Sequence, residues 1–112
     1  MAVQETVASL MKMPGVRMAA VVGRDGSVLA VSHQEPVSEV VAALSSAIFG
    51  AIASALAKGG VPPLDACLLE AGNTSIQLHS AGDRILVAVA ANDANVGRLK
   101  LALRRAAERD IS

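Results

Sequence analysis

The side chains that could carry out chemistry are few and far apart in this chain of 112 residues. The two histidines, His33 and His79, and the single cysteine, Cys67, do not fall at the short spacings that bring metal ligands together. We expect both histidines to be solvated or in loops, and Cys67 to pack as a small hydrophobic residue. The sequence therefore predicts no metal site and no cofactor.

Two further groupings resemble active-site motifs only in part. Ser45, Ser46 and Ser54 lie in an alanine-rich stretch with no acid or histidine at a spacing known for nucleophilic serines. Lys58 precedes Gly59-Gly60, which is the wrong order for a phosphate-binding loop, and it follows a helix instead of leading into one. We expect a helix C-cap at this position, no catalytic residues and no enzymatic activity.

The composition excludes several classes of partner. Hydrophobic residues make up 53% of the chain but aromatic residues only 1%, so stacking of bases on aromatic rings is not available. Ten basic and ten acidic residues cancel, and no overall field attracts nucleic acid. A single cysteine excludes an internal disulfide, and the first residues lack the pattern of a secretory signal. We expect a cytoplasmic location.

Turn residues divide the chain into alternating helices and strands. Asp25-Gly26 supplies a tight hairpin turn, and we expect a closing helix to be capped near Asn92-Asp93 and opened by Asn95 and Gly97. The predicted order is helix, two strands, helix, three strands, helix. The predicted strands are residues 17–23, 27–32, 64–71, 75–79 and 84–91.

This order predicts an α+β sandwich with a five-stranded antiparallel sheet, in one domain covering residues 1–112. Residues 18–22 and 85–91 are apolar at odd and even positions alike, so both faces of each strand should be covered. We therefore expect two central strands. Residues 64–71 should form an edge strand, which is apolar enough to need a covering partner.

The long helix predicted over residues 40–57 carries no charge, and it separates bulky from small side chains. We expect the bulky residues to pack on the sheet and the small ones to allow close approach of another helix, from a second copy or a different protein. A helix covered wholly by its own chain is the alternative. The stretch has seven alanines and no basic flanking loops, so we do not predict a membrane span. The bulky set is Val37, Val41, Leu44, Ile48, Ile52 and Leu56; the small set is Ala43, Ser46, Ala47, Gly50, Ala53, Ser54 and Ala57.

The chain resembles the roadblock/dynein light chain family of small dimeric regulators. The resemblance covers nearly the whole chain and includes Gly15-Val16, Val21-Val22 before Asp25-Gly26, the alanine-rich helix, Ile76 and residues 95–99. It implies that the long helix covers one face of the sheet and the outer helices the other. It also implies a homodimer formed through that helix and the following strand, with Ala43, Ala47, Gly50, Ser54, Leu64, Ala66 and Leu68 in the interface.

The same resemblance implies a Ras-like small GTPase as partner. The favoured function is a non-enzymatic regulator or scaffold of that GTPase, with Glu39, Ser46 and Lys58 as partner-binding residues. The alternative is an assembly adaptor, as in motor light chains, with no GTPase. The closing helix has a basic outer face, which we interpret as solvated or as a contact for an acidic partner or membrane surface.

Overall fold

The hydrophobic pattern folds into three helices and one sheet in the computed structural model, which describes residues 3–91 and 95–111. The predicted order of elements is confirmed. Helix α2 is longer than the uncharged stretch because Pro36 supplies its first turn, where a missing N–H costs nothing. The elements are α1 Val3–Met11, β1 Val16–Gly23, β2 Val28–Val31, α2 Pro36–Lys58, β3 Ala66–Ala71, β4 Thr74–Ala81, β5 Arg84–Ala91 and α3 Val96–Ile111.

The sheet has the order β2-β1-β5-β4-β3, and every neighbouring pair is antiparallel. The central pair is β1 and β5, as predicted from strands that are apolar at both parities. Residues such as Val21, Val22 and Val87 have no exposed surface. The edges are β3, also as predicted, and the short β2.

Two hydrophobic cores lie on opposite faces of the sheet. On one face α1 and α3 pack over Val21, Leu86 and Ala88, and the Gln77 side chain in β4 donates a hydrogen bond to the Val96 carbonyl at the start of α3. On the other face α2 packs over Val22 and Val87. The arrangement of layers implied by the family resemblance is confirmed.

The β1–β2 turn is closed by Asp25 and Gly26. Asp25 Oδ1 accepts hydrogen bonds from the Ser27 hydroxyl at 2.6 Å and from the Ser27 backbone N–H at 3.0 Å. Both bonds favour the carboxylate form, so they lower the pKa of Asp25 below its usual value. Gly26 has φ +92°, a conformation that side chains with a Cβ rarely adopt.

Helix α2 ends in a Schellman motif. The Val61 N–H bonds to the Leu56 carbonyl at 3.0 Å, and the Gly60 N–H bonds to the Ala57 carbonyl at 3.1 Å. Gly60 has φ +73°, which allows the chain to reverse before the two prolines. The predicted helix end at residues 58–60 is therefore confirmed.

Helix α3 begins at an asparagine cap. Asn95 Oδ1 accepts a hydrogen bond from the Arg98 N–H at 3.0 Å, in the geometry of an N-cap. The predicted cap at Asn92-Asp93 lies outside the described residues. Gly97 has no positive φ, and a Cβ there would lie 3.7 Å from Asn95 Oδ1, which is an ordinary contact. The backbone therefore does not require glycine at position 97, contrary to the structural role we expected.

Two adjacent glycines give a matched test of the α2 terminus. Gly60→Ala places a Cβ at positive φ and should lower the free energy of unfolding by about 1–2 kcal/mol. Gly59→Ala, at φ −86° with a nearest contact of 3.6 Å, should be nearly neutral. Urea denaturation measures both, and equal effects would contradict the Schellman assignment.

Candidate interaction surface

The face of α2 that packs on the sheet is made of small residues and one phenylalanine. Ala42 and Phe49 have no exposed surface, and Ser38, Ser45 and Ser46 are also buried. The buried hydroxyls have partners within reach: Ser45 donates to the Val41 carbonyl at 2.8 Å and Ser46 to the Gly23 carbonyl at 2.8 Å. These small side chains let the helix backbone lie close to the strands.

The predicted orientation of α2 is therefore wrong. Val37 is 72% exposed, Leu44 56% and Ile48 40%, although all three belong to the set expected to face the sheet. At about 100° per residue, the buried row lies roughly a quarter turn from each of the two predicted faces. The helix thus presents two opposite flanks beside the sheet. We define the bulky flank as Val37, Val41, Leu44, Ile48 and Ile52, and the small flank as Ala43, Ala47, Gly50, Ser54 and Ala57.

The small flank is accessible at most of its positions. Ala47, Gly50 and Ser54 are exposed and Ala43 is half-buried. A Cβ added at Gly50 would meet nothing within 4 Å. These four positions, which we predicted to lie in the homodimer interface, are exposed or half-buried, and that interface stays a prediction.

Only two of the three predicted partner-binding residues are accessible. Glu39 and Lys58 are exposed near opposite ends of α2. Ser46 is 3% exposed, and its hydroxyl is bonded to the Gly23 carbonyl. The prediction of a direct partner contact at Ser46 is corrected, because this side chain fixes α2 to β1.

The prediction from sequence assigned no role to Arg24. The Arg24 guanidinium lies 5.6 Å from the centre of the Phe49 ring. Its Nε donates to the Gly82 carbonyl at 3.0 Å and its Nη2 to Ser80 Oγ at 2.8 Å. Arg24 therefore connects the β1–β2 turn, the β4–β5 turn and α2 at one end of the sheet. No motif signals this role, since the hydrogen-bond partners of its side chain lie more than 50 residues away in sequence.

The edge strand β3 presents apolar side chains on both faces of the sheet. Leu68 pairs with Gln77 and lies on the α3 face, where it is 44% exposed. Cys67 packs half-buried against the core on the α2 face. Ala66 is half-buried in the strand, and Leu64 is half-buried just before it. The strand begins at Ala66, two residues later than predicted, although the Asp65 carbonyl already accepts a hydrogen bond from the Ser80 N–H of β4 at 2.8 Å.

Part of the α2 face of the sheet is only partly covered by the residues that the structure describes. Helix α2 makes its main contacts with β1, β2 and β5. Leu69, Ile76 and Val89 are cross-strand neighbours on that face, and all three are only partly buried. We call these three residues the open row. Ser46 holds the small flank toward Gly23, so the bulky flank faces the opposite ends of the strands, where the open row lies.

No group of three or more potential metal ligands occurs in residues 3–91 and 95–111. His33 is exposed, and its Nδ1 lies 2.9 Å from Ser32 Oγ. His79 corrects our expectation of a solvated or loop histidine: it lies in β4, 9% exposed, with Nδ1 3.0 Å from the Ser80 carbonyl. Ser45 and Ser46 are held by backbone carbonyls, so their hydroxyls have structural partners.

Helix α2 is long and apolar enough to cross a membrane by the criteria of length and composition alone. Its inner face, however, packs on the sheet through residues such as Ala42 and Phe49. The apolar composition of α2 is therefore consistent with a layer of the sandwich whose inner side packs on the sheet and whose outer side is apolar.

Comparison with known proteins gives the family. The model of the Roadblock/LC7 domain matches residues 2–91. An uncharacterized protein of Methanocaldococcus jannaschii is 32% identical over 108 residues, which cover 96% of this chain and 95% of that protein. This chain belongs to the Roadblock/LC7 domain family.

Solved structures show the same fold at low sequence identity. The Roadblock/LC7 domain from Streptomyces avermitilis superposes with a TM-score of 0.88 at 20% identity, covering 97% of this chain and 94% of that one. MglB from Myxococcus xanthus has a TM-score of 0.87 at 16% identity, covering 97% and 91%. Roadblock/LC7 domains are generally non-catalytic.

The Ser46 hydroxyl can be tested against an exposed serine of the same helix. Ser46→Ala removes the hydrogen bond from α2 to the Gly23 carbonyl, which keeps its bond from the Gly26 N–H at 3.0 Å, and should lower the free energy of unfolding by about 0.5–1.5 kcal/mol. Ser54→Ala, at an exposed position, should change it by less than about 0.5 kcal/mol. Chemical denaturation of the two variants at low protein concentration provides the comparison; a neutral Ser46→Ala would contradict a structural role.

Proposed function

We propose that this Roadblock/LC7 domain is a non-enzymatic homodimer that binds a Ras-like small GTPase and regulates or scaffolds it. The observation that carries the dimer is the apolar surface on the α2 side of the sheet that the described residues do not bury. Val37, Leu44 and Ile48 of the bulky flank are exposed, the open row is only partly buried, and β3 is an edge strand. Soluble monomers rarely expose a patch of this kind without a partner.

A second copy fits this surface because each part has a complement in the other copy. Two β3 strands can pair antiparallel across a two-fold axis and continue the sheet from one protomer to the next. The α2 helix of each protomer then lies over the open row of the other, with Leu44 and Ile48 between the helices. This arrangement covers the apolar side chains and also pairs the free backbone N–H and C=O groups at the edge of β3.

The proposal of a GTPase partner rests on the family and on the surface that such a dimer leaves free. MglB, one of the structural neighbours, is a bacterial small-GTPase regulator. In the proposed dimer the small flank of α2 remains accessible, with the charged Glu39 and Lys58 near its two ends. Small side chains leave the helix backbone open to close approach by a protein loop.

An assembly adaptor without a GTPase is the second candidate function. The same dimer surface would serve it, since the exposed residues of α2 do not by themselves identify the partner. Binding of a nucleotide-loaded GTPase separates the two functions, because an adaptor has no reason to distinguish GTP from GDP.

The dimer predicts a clear effect of one charge on the bulky flank. Ile48→Glu should weaken self-association by on the order of 100-fold or more, because it places an unpaired carboxylate in an apolar interface. Sedimentation velocity over a range of concentrations measures the change.

Leu29 provides the matched control, since it is 41% exposed and Ile48 is 40% exposed. Leu29→Glu, on the far edge of the sheet, should leave the dimer intact. A wild-type chain that remains monomeric at micromolar concentration would end the proposal. Loss of the dimer in Gly50→Glu but not in Ile48→Glu would move the interface to the small flank.

Partner binding should depend on the small flank. Ser54→Arg and Lys58→Glu should each weaken binding of a candidate small GTPase by on the order of tenfold, through steric overlap and reversed charge respectively. Calorimetric titration with the GTPase loaded with GTP or GDP measures the affinity and the number of chains bound. We expect two chains per GTPase.

Arg105→Glu on α3 serves as the control and should bind normally, since α3 lies on the other face of the sheet. GTP hydrolysis should be absent with the chain alone and should change only when the GTPase is present. Binding that is identical for both nucleotides and unaffected by both α2 variants would favour the adaptor function.

A further inference from the structure

Helix α3 carries an excess of positive charge, which an excess of negative charge in the rest of the chain offsets. Five of the ten basic residues and two of the ten acidic residues lie in Val96–Ile111, so this helix has a net charge of +3 in a chain whose net charge is zero. The helix also lies outside residues 2–91, the part matched by the Roadblock/LC7 model. Its outer surface is therefore not explained by the dimer or by the proposed GTPase site on the opposite face.

The outer surface of α3 centres on a leucine. Leu101 is 42% exposed, although the inner side of the helix buries Leu99 and Leu103 almost completely. Residues three and four apart are neighbours on a helix surface, which places Arg98, Arg104 and Arg105 around Leu101. All three arginines are exposed. Glu108 is two turns from Leu101 on the same side of the helix and is a neighbour of Arg104 and Arg105, so these three arginines with Glu108 carry a net charge of +2.

We propose that this surface, Leu101 with Arg98, Arg104 and Arg105, docks the protein on an acidic phospholipid bilayer. Guanidinium groups pair bidentately with phosphate oxygens, and a leucine between them can enter the boundary between headgroups and acyl chains. The positive charge of α3 complements the negative surface of such a bilayer. Helix α3 packs on the sheet through Leu99, Leu103, Ala106 and Ala107, so its opposite side over these two turns is turned away from the sheet.

The proposed dimer strengthens this contact without being required for it. A sheet continued through β3 keeps the α1 and α3 layers of both protomers on one face. Two leucines and six arginines of this set then face the same bilayer, while the α2 face points away toward a protein partner. Each α3 contains the full set, so a monomer should bind more weakly by the same chemistry.

Two other occupants are tested as alternatives. Duplex nucleic acid would pair with the arginines through its phosphates but gives no role to an exposed leucine. An acidic patch on another protein would contact both the leucine and the arginines. If that were the partner, this chain would show no preference among lipid vesicles. The exposed Leu101 at the centre of the arginines is the reason for committing to the bilayer.

Vesicle co-sedimentation of the purified chain tests the proposal. The wild type should sediment with phosphatidylcholine vesicles that contain phosphatidylglycerol and not with phosphatidylcholine alone, and raising the salt concentration should release it. Replacing both Arg104 and Arg105 by Gln should reduce the partition coefficient about 25-fold, at about fivefold per arginine. Leu101→Ser should reduce it several-fold while leaving the net charge unchanged.

Matched controls separate this site from a general effect of charge or exposure. Leu29→Ser changes a leucine of the same exposure elsewhere on the surface. A double Arg17→Gln, Lys58→Gln variant removes the same charge from exposed positions outside α3. Both controls should bind like the wild type, and circular dichroism verifies the fold of every variant.

Three results would overturn the proposal. The first is a wild type that fails to bind acidic vesicles at low salt. The second is an equal loss of binding in the two double variants, which would indicate net charge alone. The third is that duplex DNA displaces the wild type from vesicles and binds Leu101→Ser as tightly as it binds the wild type. This result would assign the surface to nucleic acid.

Discussion

The close contact between α2 and the central strands is the constraint on which this structure depends. Small residues at Ala42, Ser45 and Ser46 let the helix lie near the sheet, and Phe49 fills the remaining space with no exposed surface. Burial of one such ring stabilises the fold by about 2–3 kcal/mol. The same contact positions Arg24 over the ring and orders the turns at that end of the sheet. Because small residues occupy the inner row, the branched side chains of α2 can only lie beside the sheet or outside it.

The elements of this fold could be predicted from sequence because each depends on local chemistry. Asp25-Gly26 defines a hairpin turn, Gly60 with the following prolines ends α2, and apolar runs at both parities mark β1 and β5 as central. The orientation of α2 could not be predicted. The periodicity separates bulky from small side chains, but no side of residues 40–57 carries charge, so the sequence does not show which side of the helix meets the sheet.

The candidate site could be predicted only in part, for the same reason. Glu39, Lys58, Gly50 and Ser54 lie on accessible surface, as expected for residues on or beside a helix side that was predicted to meet a partner. Ser46 failed because its partner, the Gly23 carbonyl, is 23 residues away in sequence. Arg24 was missed because two of its partners, Ser80 and Gly82, come together with it only after the sheet forms.

The short strand β2 has a consequence for the size of any assembly. It forms the edge opposite β3 and is only four residues long, from Val28 to Val31. If copies join through β3, each end of the combined sheet is a β2 strand, which offers few backbone groups for a further strand to pair with. The two edges of this chain are therefore unequal, and in an assembly joined through β3 the combined sheet would end at a closed pair instead of continuing as a fibre.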